Sequence, residues 1–148
     1  MTKILIIEDD APYRKIYKRK FEVAGYQVEV AEDGEQGLQI MRTFQPDLVC
    51  VDLMMPKMDG FQVLDHAKAD PALQHIPMMV LTNLSTPDDA QKVIQKGAAA
   101  IIVKSDTEPN AIVEKAAEIL RSTPTGAQTT QPSISRVMPI PLGGRQRP

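Results

Sequence analysis

Four short apolar runs in this 148-residue chain end in residues that can carry charge or donate a proton. KILIIE (3–8) leads into Asp9, LVCVD (48–52) stops on Asp52, IPMMVLTN (76–83) carries Thr82 near its end, and AAIIVKS (99–105) carries Lys104. A lone carboxylate at the end of an apolar run, as Asp52 is, costs several kcal/mol unless something compensates it. Such runs read as strands buried on both faces. If the strands lie parallel, their carboxyl ends converge and bring Glu8, Asp9, Asp52, Thr82 and Lys104 to one edge. Crowded carboxylates repel one another and resist ionising unless cations are supplied. Lys104 supplies one. The remaining deficit suits Mg²⁺, which takes a few carboxylates, several waters and phosphate oxygens of a ligand. A carboxylate held in this way is also a nucleophile towards phosphoryl groups, giving an acyl phosphate. That transfer asks the protein chiefly to position the group and neutralise its equatorial oxygens, work that suits Mg²⁺, Lys104 and the Thr82 hydroxyl.

The elements that must position these residues are legible in the same pattern. YQVEVA (26–31) alternates and reads as a fifth strand with one more exposed face. Helical periods run through Tyr13, Ile16, Tyr17 and Phe21, through Ala90, Val93, Ile94 and Gly97, and through Ile112, Val113, Ala116, Ile119 and Leu120. Segments 34–44 and 60–69 have helical length with weaker periodicity. Gly25 and Gly97 follow helical stretches where a left-handed cap is wanted, Pro46, Pro71 and Pro77 fall in connections, and Asp10 is placed as an N-cap. Strand and helix alternate five times, which implies an α/β fold: a five-stranded parallel sheet, doubly wound, with ligands bound at the strands' carboxyl ends where strand order reverses.

Composition bounds the function. Hydrophobic residues make up 43% and charged residues 24% of the chain, the balance of a soluble globular protein, and no apolar run reaches the roughly 18 residues of a membrane span. The N-terminus lacks the long apolar core of a signal peptide, so a cytoplasmic protein is expected. The single cysteine, Cys50, reads as a small core residue. The chain carries a formal −2, yet residues 122–148 hold Arg136, Arg145 and Arg147 and no acid, leaving an acidic body ill suited to nucleic acid. That last stretch has five prolines and three glycines among Ser, Thr and Gln. The expected division is therefore a folded domain at 1–121 and a basic tail at 122–148 that cannot bury enough surface to fold alone. Its patch VMPIPL (137–142) has the character of an extended docking segment. His66 and His75 offer no ligand pair, and RKIYKRK (14–20) places five cations on the first helix.

Taken together, ILIIEDDAPYRK, VDLMMPKMDGFQVL, VLTN and IIVKS resemble the acid-pair, phosphoacceptor, hydroxyl and lysine segments of the response-regulator receiver domain, the phosphorylation-controlled module of two-component signalling. The resemblance spans residues 4–105 by motif and implies the flavodoxin-like receiver fold. It implies that Asp52 is the phosphoacceptor, Asp9 a direct Mg²⁺ ligand, Glu8 a ligand through water, Met54 a ligand through its backbone carbonyl, Thr82 the switch hydroxyl and Lys104 the phosphate-contacting lysine. It also implies a histidine kinase or phosphotransfer protein as phosphodonor. With no output domain following, a downstream protein target is expected at the fourth helix, fifth strand and fifth helix. Apart from its own phosphorylation and dephosphorylation, no enzymatic activity is expected.

The chain departs from the family pattern in places. Ser105 stands where Pro is usual, so the Lys104–Ser105 peptide is expected trans, since a cis bond there costs about 2.5–4 kcal/mol. Ile101 stands where many members carry the Tyr or Phe that swings inward on activation. Met54 and Leu84, both apolar, cannot orient an attacking water, and slow autodephosphorylation is the expectation. A phosphorylation-independent scaffold is the alternative that Ile101 and Ser105 suggest. A Mg²⁺-dependent phosphohydrolase would want an acid where Met54 stands, and a flavodoxin would not place Glu8, Asp9 and Asp10 against a phosphate.

Overall fold

The computed structural model describes residues 1–83 and 86–122. Strands β1 (Lys3–Ile7), β2 (Gln27–Ala31), β3 (Leu48–Asp52), β4 (Met78–Thr82) and β5 (Ala100–Val103) alternate with helices α1 (Ala11–Val23), α2 (Gly34–Phe44), α3 (Gly60–Ala69), α4 (Pro87–Gln95) and α5 (Pro109–Ser122). Every strand pairing is parallel, in the order β2-β1-β3-β4-β5. This is the doubly wound (βα)5 sheet that the alternation predicts.

Each residue of β3 and β4 is buried, which is why both read as unbroken apolar runs. The edge strand β2 instead exposes Gln27 and Glu29 while burying Val28 and Ala31. Because successive side chains point to opposite faces, the sheet feeds two cores. Leu5, Ile7, Val49, Val51, Val80 and Ile101 pack with Leu38, Val63 and Val93 from α2, α3 and α4. Ile4, Ile6, Cys50, Leu81 and Ile102 pack with Tyr17, Phe21, Ile112 and Ala116 from α1 and α5. Cys50 is completely buried, and burial pushes its thiol far above the usual range, the state of an inert core residue.

Capping chemistry sets where the helices begin. Asp10 accepts from the Tyr13 N–H, Asp33 from Gln36 and Thr86 from Asp89, and Asp59 and Gln62 form a reciprocal capping box. Gly25 and Gly97 follow α1 and α4 with φ of 101° and 100°, the left-handed conformation that Gly adopts without strain. Gly97 thus terminates its helix and is no part of the apolar stripe in which the periodicity also placed it. Ile16 is a second correction: it lies at the margin of the α1 stripe and is 44% exposed. The last helix continues one residue past Arg121. Residues 123–148 of the expected tail, with its VMPIPL patch, lie outside the described residues, as does Leu84.

Candidate functional site

Strand order reverses between β1 and β3, because β1 pairs with β2 on one side and β3 on the other. The crevice at their carboxyl ends is where such sheets bind ligands. Ile7 pairs with Val51, so Glu8 and Asp52 emerge side by side. Asp52 pairs with Leu81 and Thr82 with Val103, so Thr82 and Lys104 complete the edge one step further on. Glu8, Asp52, Thr82 and Lys104 are 1%, 6%, 0% and 7% exposed, while Asp9 is open to solvent. Carboxylate oxygens of Glu8, Asp9 and Asp52 all lie within 4.8 Å of one another. Lys104 Nζ donates to Glu8 Oε1 at 2.8 Å and to Asp52 Oδ2 at 3.4 Å. The five residues singled out in the sequence therefore share one edge of the sheet.

The backbone around the acids is pinned by local interactions. The Asp10 N–H donates to Glu8 Oε2 at 3.1 Å, and Arg14 Nη1 donates to the Glu8 carbonyl at 2.8 Å. The Met54 N–H donates to Asp52 Oδ1 at 3.4 Å, wrapping the loop after β3 around the carboxylate, while 56% of Met54 stays exposed. The Gly60 N–H donates to the Leu53 carbonyl at 2.9 Å. A Cβ on Gly60 would lie 2.5 Å from the Asp52 carbonyl oxygen, so only glycine lets α3 start this close to β3.

Burial is the main force that pushes the Glu8 carboxyl up to about 7, with the Asp52 charge adding to it and the Lys104 hydrogen bond and charge opposing. For Lys104, burial alone would lower the ammonium, but Glu8 and Asp52 outweigh it and hold it above the usual lysine range. One buried ammonium thus faces two buried carboxylates, with Asp9 beside them. The donor set is oxygen only and carries excess negative charge, which fits a hard divalent cation, Mg²⁺ among them.

Three contributors were not apparent from sequence. The Tyr13 ring lies over Lys104, its centroid 4.1 Å from Nζ, and stacks on Tyr17 at 5.6 Å. Arg14, one of the five cations read on α1, turns inward to the Glu8 backbone. Asn83 Oδ1 accepts from the Ser105 N–H at 2.8 Å. A cation-bearing helix start beside an acid pair is a weak signal for the second; no local signal announces the other two. The Lys104–Ser105 peptide is trans, as expected. His66 and His75 are exposed, on α3 and the loop after it.

Similarity to known proteins agrees with this geometry. The chain is 31% identical over 113 residues to the polar-differentiation response regulator DivK of Brucella ovis, covering 76% of this chain and 92% of that one. It is 39% identical over 102 residues to a probable transcriptional regulator, ycf27, of Porphyridium aerugineum, covering 69% of this chain and 41% of that protein. The first relatives matched are longer, and this chain spans about half their length or less. Among solved structures, a CheY-like response regulator receiver domain protein from Methanospirillum hungatei superposes with a TM-score of 0.77 at 26% identity, covering 83% of this chain and 96% of that one. The signal receiver domain of a histidine kinase from Syntrophus aciditrophicus gives 0.76 at 28%, covering 88% and 98%. Residues 4–117 match the family model of the response regulator receiver domain, and the chain belongs to that family.

Proposed function

We propose that this protein is a phosphorylation-controlled signalling receiver that takes a phosphoryl group onto Asp52 from a histidine kinase or phosphotransfer protein. The observation that carries the reading is the buried Lys104 bridging Glu8 and Asp52 in a pocket whose three carboxylates come within 4.8 Å. An Asp52 oxygen attacks the phosphorus, the bond to the donor's histidine nitrogen breaks, and that nitrogen keeps the electron pair. Lys104, already placed between the two carboxylates, passes to a phosphoryl oxygen as Asp52 becomes an acyl phosphate, and the Thr82 hydroxyl donates to another. Asp9 and Asp52 directly, Glu8 through water and the Met54 carbonyl would hold Mg²⁺, which when bound neutralises charge on the phosphoryl oxygens.

The cationic face of α1, with its five basic residues from Arg14 to Lys20, is suited to the phosphodonor. Output passes by protein contacts on the α4-β5-α5 face. Ile101 is buried among Ala90 and Val93, so the signal there travels through loop and backbone shifts rather than an aromatic swing. The protein is no turnover enzyme on this reading: it catalyses its own phosphorylation and a slow dephosphorylation, with apolar Met54 beside the acceptor. We assign residues 1–121 to the receiver and 122–148 to a tail, and place the protein in the cytoplasm; among the described residues no helix is long and apolar enough to cross a membrane. Ile101 also supports a second reading, a scaffold recognised whatever the state of Asp52. Intact mass after incubation with acetyl phosphate and Mg²⁺ tests the choice: one phosphoryl group gained and slowly lost supports the receiver, and no gain favours the scaffold.

A further inference from the structure

The ladder between β4 and β5 ends at Thr82 opposite Val103. Beyond that rung both chains leave the sheet. Lys104 opens a single 3-10 turn (Lys104–Asp106), and Asn83 starts the connection to α4. The two chains are nevertheless joined one step further on, because the Ser105 N–H donates to Asn83 Oδ1 at 2.8 Å. The side-chain oxygen stands in for the main-chain carbonyl that another rung would have supplied. Asn83 directly follows Thr82, and Ser105 directly follows Lys104. A shift of either strand end is therefore passed to the other through one hydrogen bond.

We propose that Asn83 is a positioning residue: through the Ser105 amide it sets the separation between the Thr82 hydroxyl and the Lys104 ammonium so that both reach one phosphoryl group on Asp52. The inference rests on the phosphoacceptor reading of Asp52. What the tie requires is the N–H at position 105, not the Ser105 hydroxyl. Proline, which has no N–H, cannot form it. Both residues are exposed, so the bond adds little to the stability of the fold, and its loss acts on the alignment of the strand ends.

The test compares Asn83→Ala, Ser105→Ala, Ser105→Pro and the Asn83→Ala/Ser105→Pro pair in the full chain. Two readouts are taken: exchange of the Ser105 amide by NMR, and the rate of Asp52 phosphorylation by acetyl phosphate at saturating Mg²⁺, with Mg²⁺ affinity measured separately. Asn83→Ala is expected to speed Ser105 amide exchange about tenfold and to slow phosphorylation about fivefold, the size of one neutral hydrogen bond, with Mg²⁺ affinity unchanged. Ser105→Ala keeps the N–H and should match the parent in both readouts. In the Ser105→Pro background, Asn83→Ala should change nothing further. Unchanged amide exchange in Asn83→Ala overturns the tie. A rate loss that persists in the Ser105→Pro background overturns its role in positioning. A parent protein that stays unphosphorylated defeats the acceptor reading itself, which the variant comparisons keep distinct.

Discussion

At the ends of β1 and β3 the functional groups sit on backbone held from several sides: Arg14 on the Glu8 carbonyl, the Asp10 amide on the Glu8 carboxylate, and Gly60 packed where no Cβ fits against Asp52. At the ends of β4 and β5 the holding is done by side chains: the long arm of Lys104 under the Tyr13 ring, its pairs to Glu8 and Asp52, and the amide of Asn83. On the receiver reading proposed above, the contrast follows from two tasks. Mg²⁺ demands near-ideal oxygen geometry, so its proposed ligands are best carried on a well-held backbone. On that reading Lys104 must turn from a bare carboxylate to a phosphorylated one, and its long side chain can do so while β5 stays in register.

Variants separate the contributions of the two halves. Asp52→Asn should lose phosphorylation altogether by intact mass, and the rise in Tm that Mg²⁺ gives the parent should shrink towards zero, because a ligand that binds only the folded state stabilises it in proportion to its affinity. Gly60→Ala drives a Cβ into the Asp52 carbonyl and should cost about 3 kcal/mol in urea unfolding, with weakened Mg²⁺ binding. Lys104→Met leaves Glu8 and Asp52 buried without their cation. It should cost about 3 kcal/mol without metal, and Mg²⁺ should recover much of that loss, since it neutralises the same charges.

The β1–β3 half also responds to pH. Glu8 titrates at about 7 in the metal-free fold, above its ordinary value of 4.5. The fold therefore favours the protonated acid, so this contribution to stability is complete below about 4.5 and is lost as pH rises through about 7. Glu8→Gln should flatten that slope in metal-free unfolding. Mg²⁺ binding should show the opposite trend and tighten over the same interval, because the proton must leave before the carboxylate can help hold the ion. The smallest expected effect is at Tyr13. Tyr13→Leu should cost about 1 kcal/mol by loss of the ring over Lys104, and Tyr13→Phe should keep most of it.

The fold and the main site were readable because they rest on local signals. A buried parallel strand must be apolar throughout, so LVCVD and MMVLT declare themselves, and the residue at which each apolar run stops is the one delivered to the edge of the sheet. Caps at Asp10, Gly25 and Gly97 are likewise chemistry within a few positions. What escaped was set by tertiary approach. Tyr13 meets Lys104 only because α1 and β5 flank the same crevice, and Tyr13 reads from periodicity as ordinary core. Asn83 and Ser105 find each other across two loops whose spacing no pattern encodes. Ile16 shows the converse: a correct helical period still leaves residues at the margin of the stripe facing water.

Finding the atom that takes the phosphoryl group tests the role of Asp52 directly. Phosphorylated protein would be reduced with borohydride, which converts an aspartyl phosphate to homoserine, then digested and sequenced by mass spectrometry. Homoserine is expected at position 52 and nowhere else. Homoserine at position 9, or phosphate retained on Thr82 or Ser105, would contradict it.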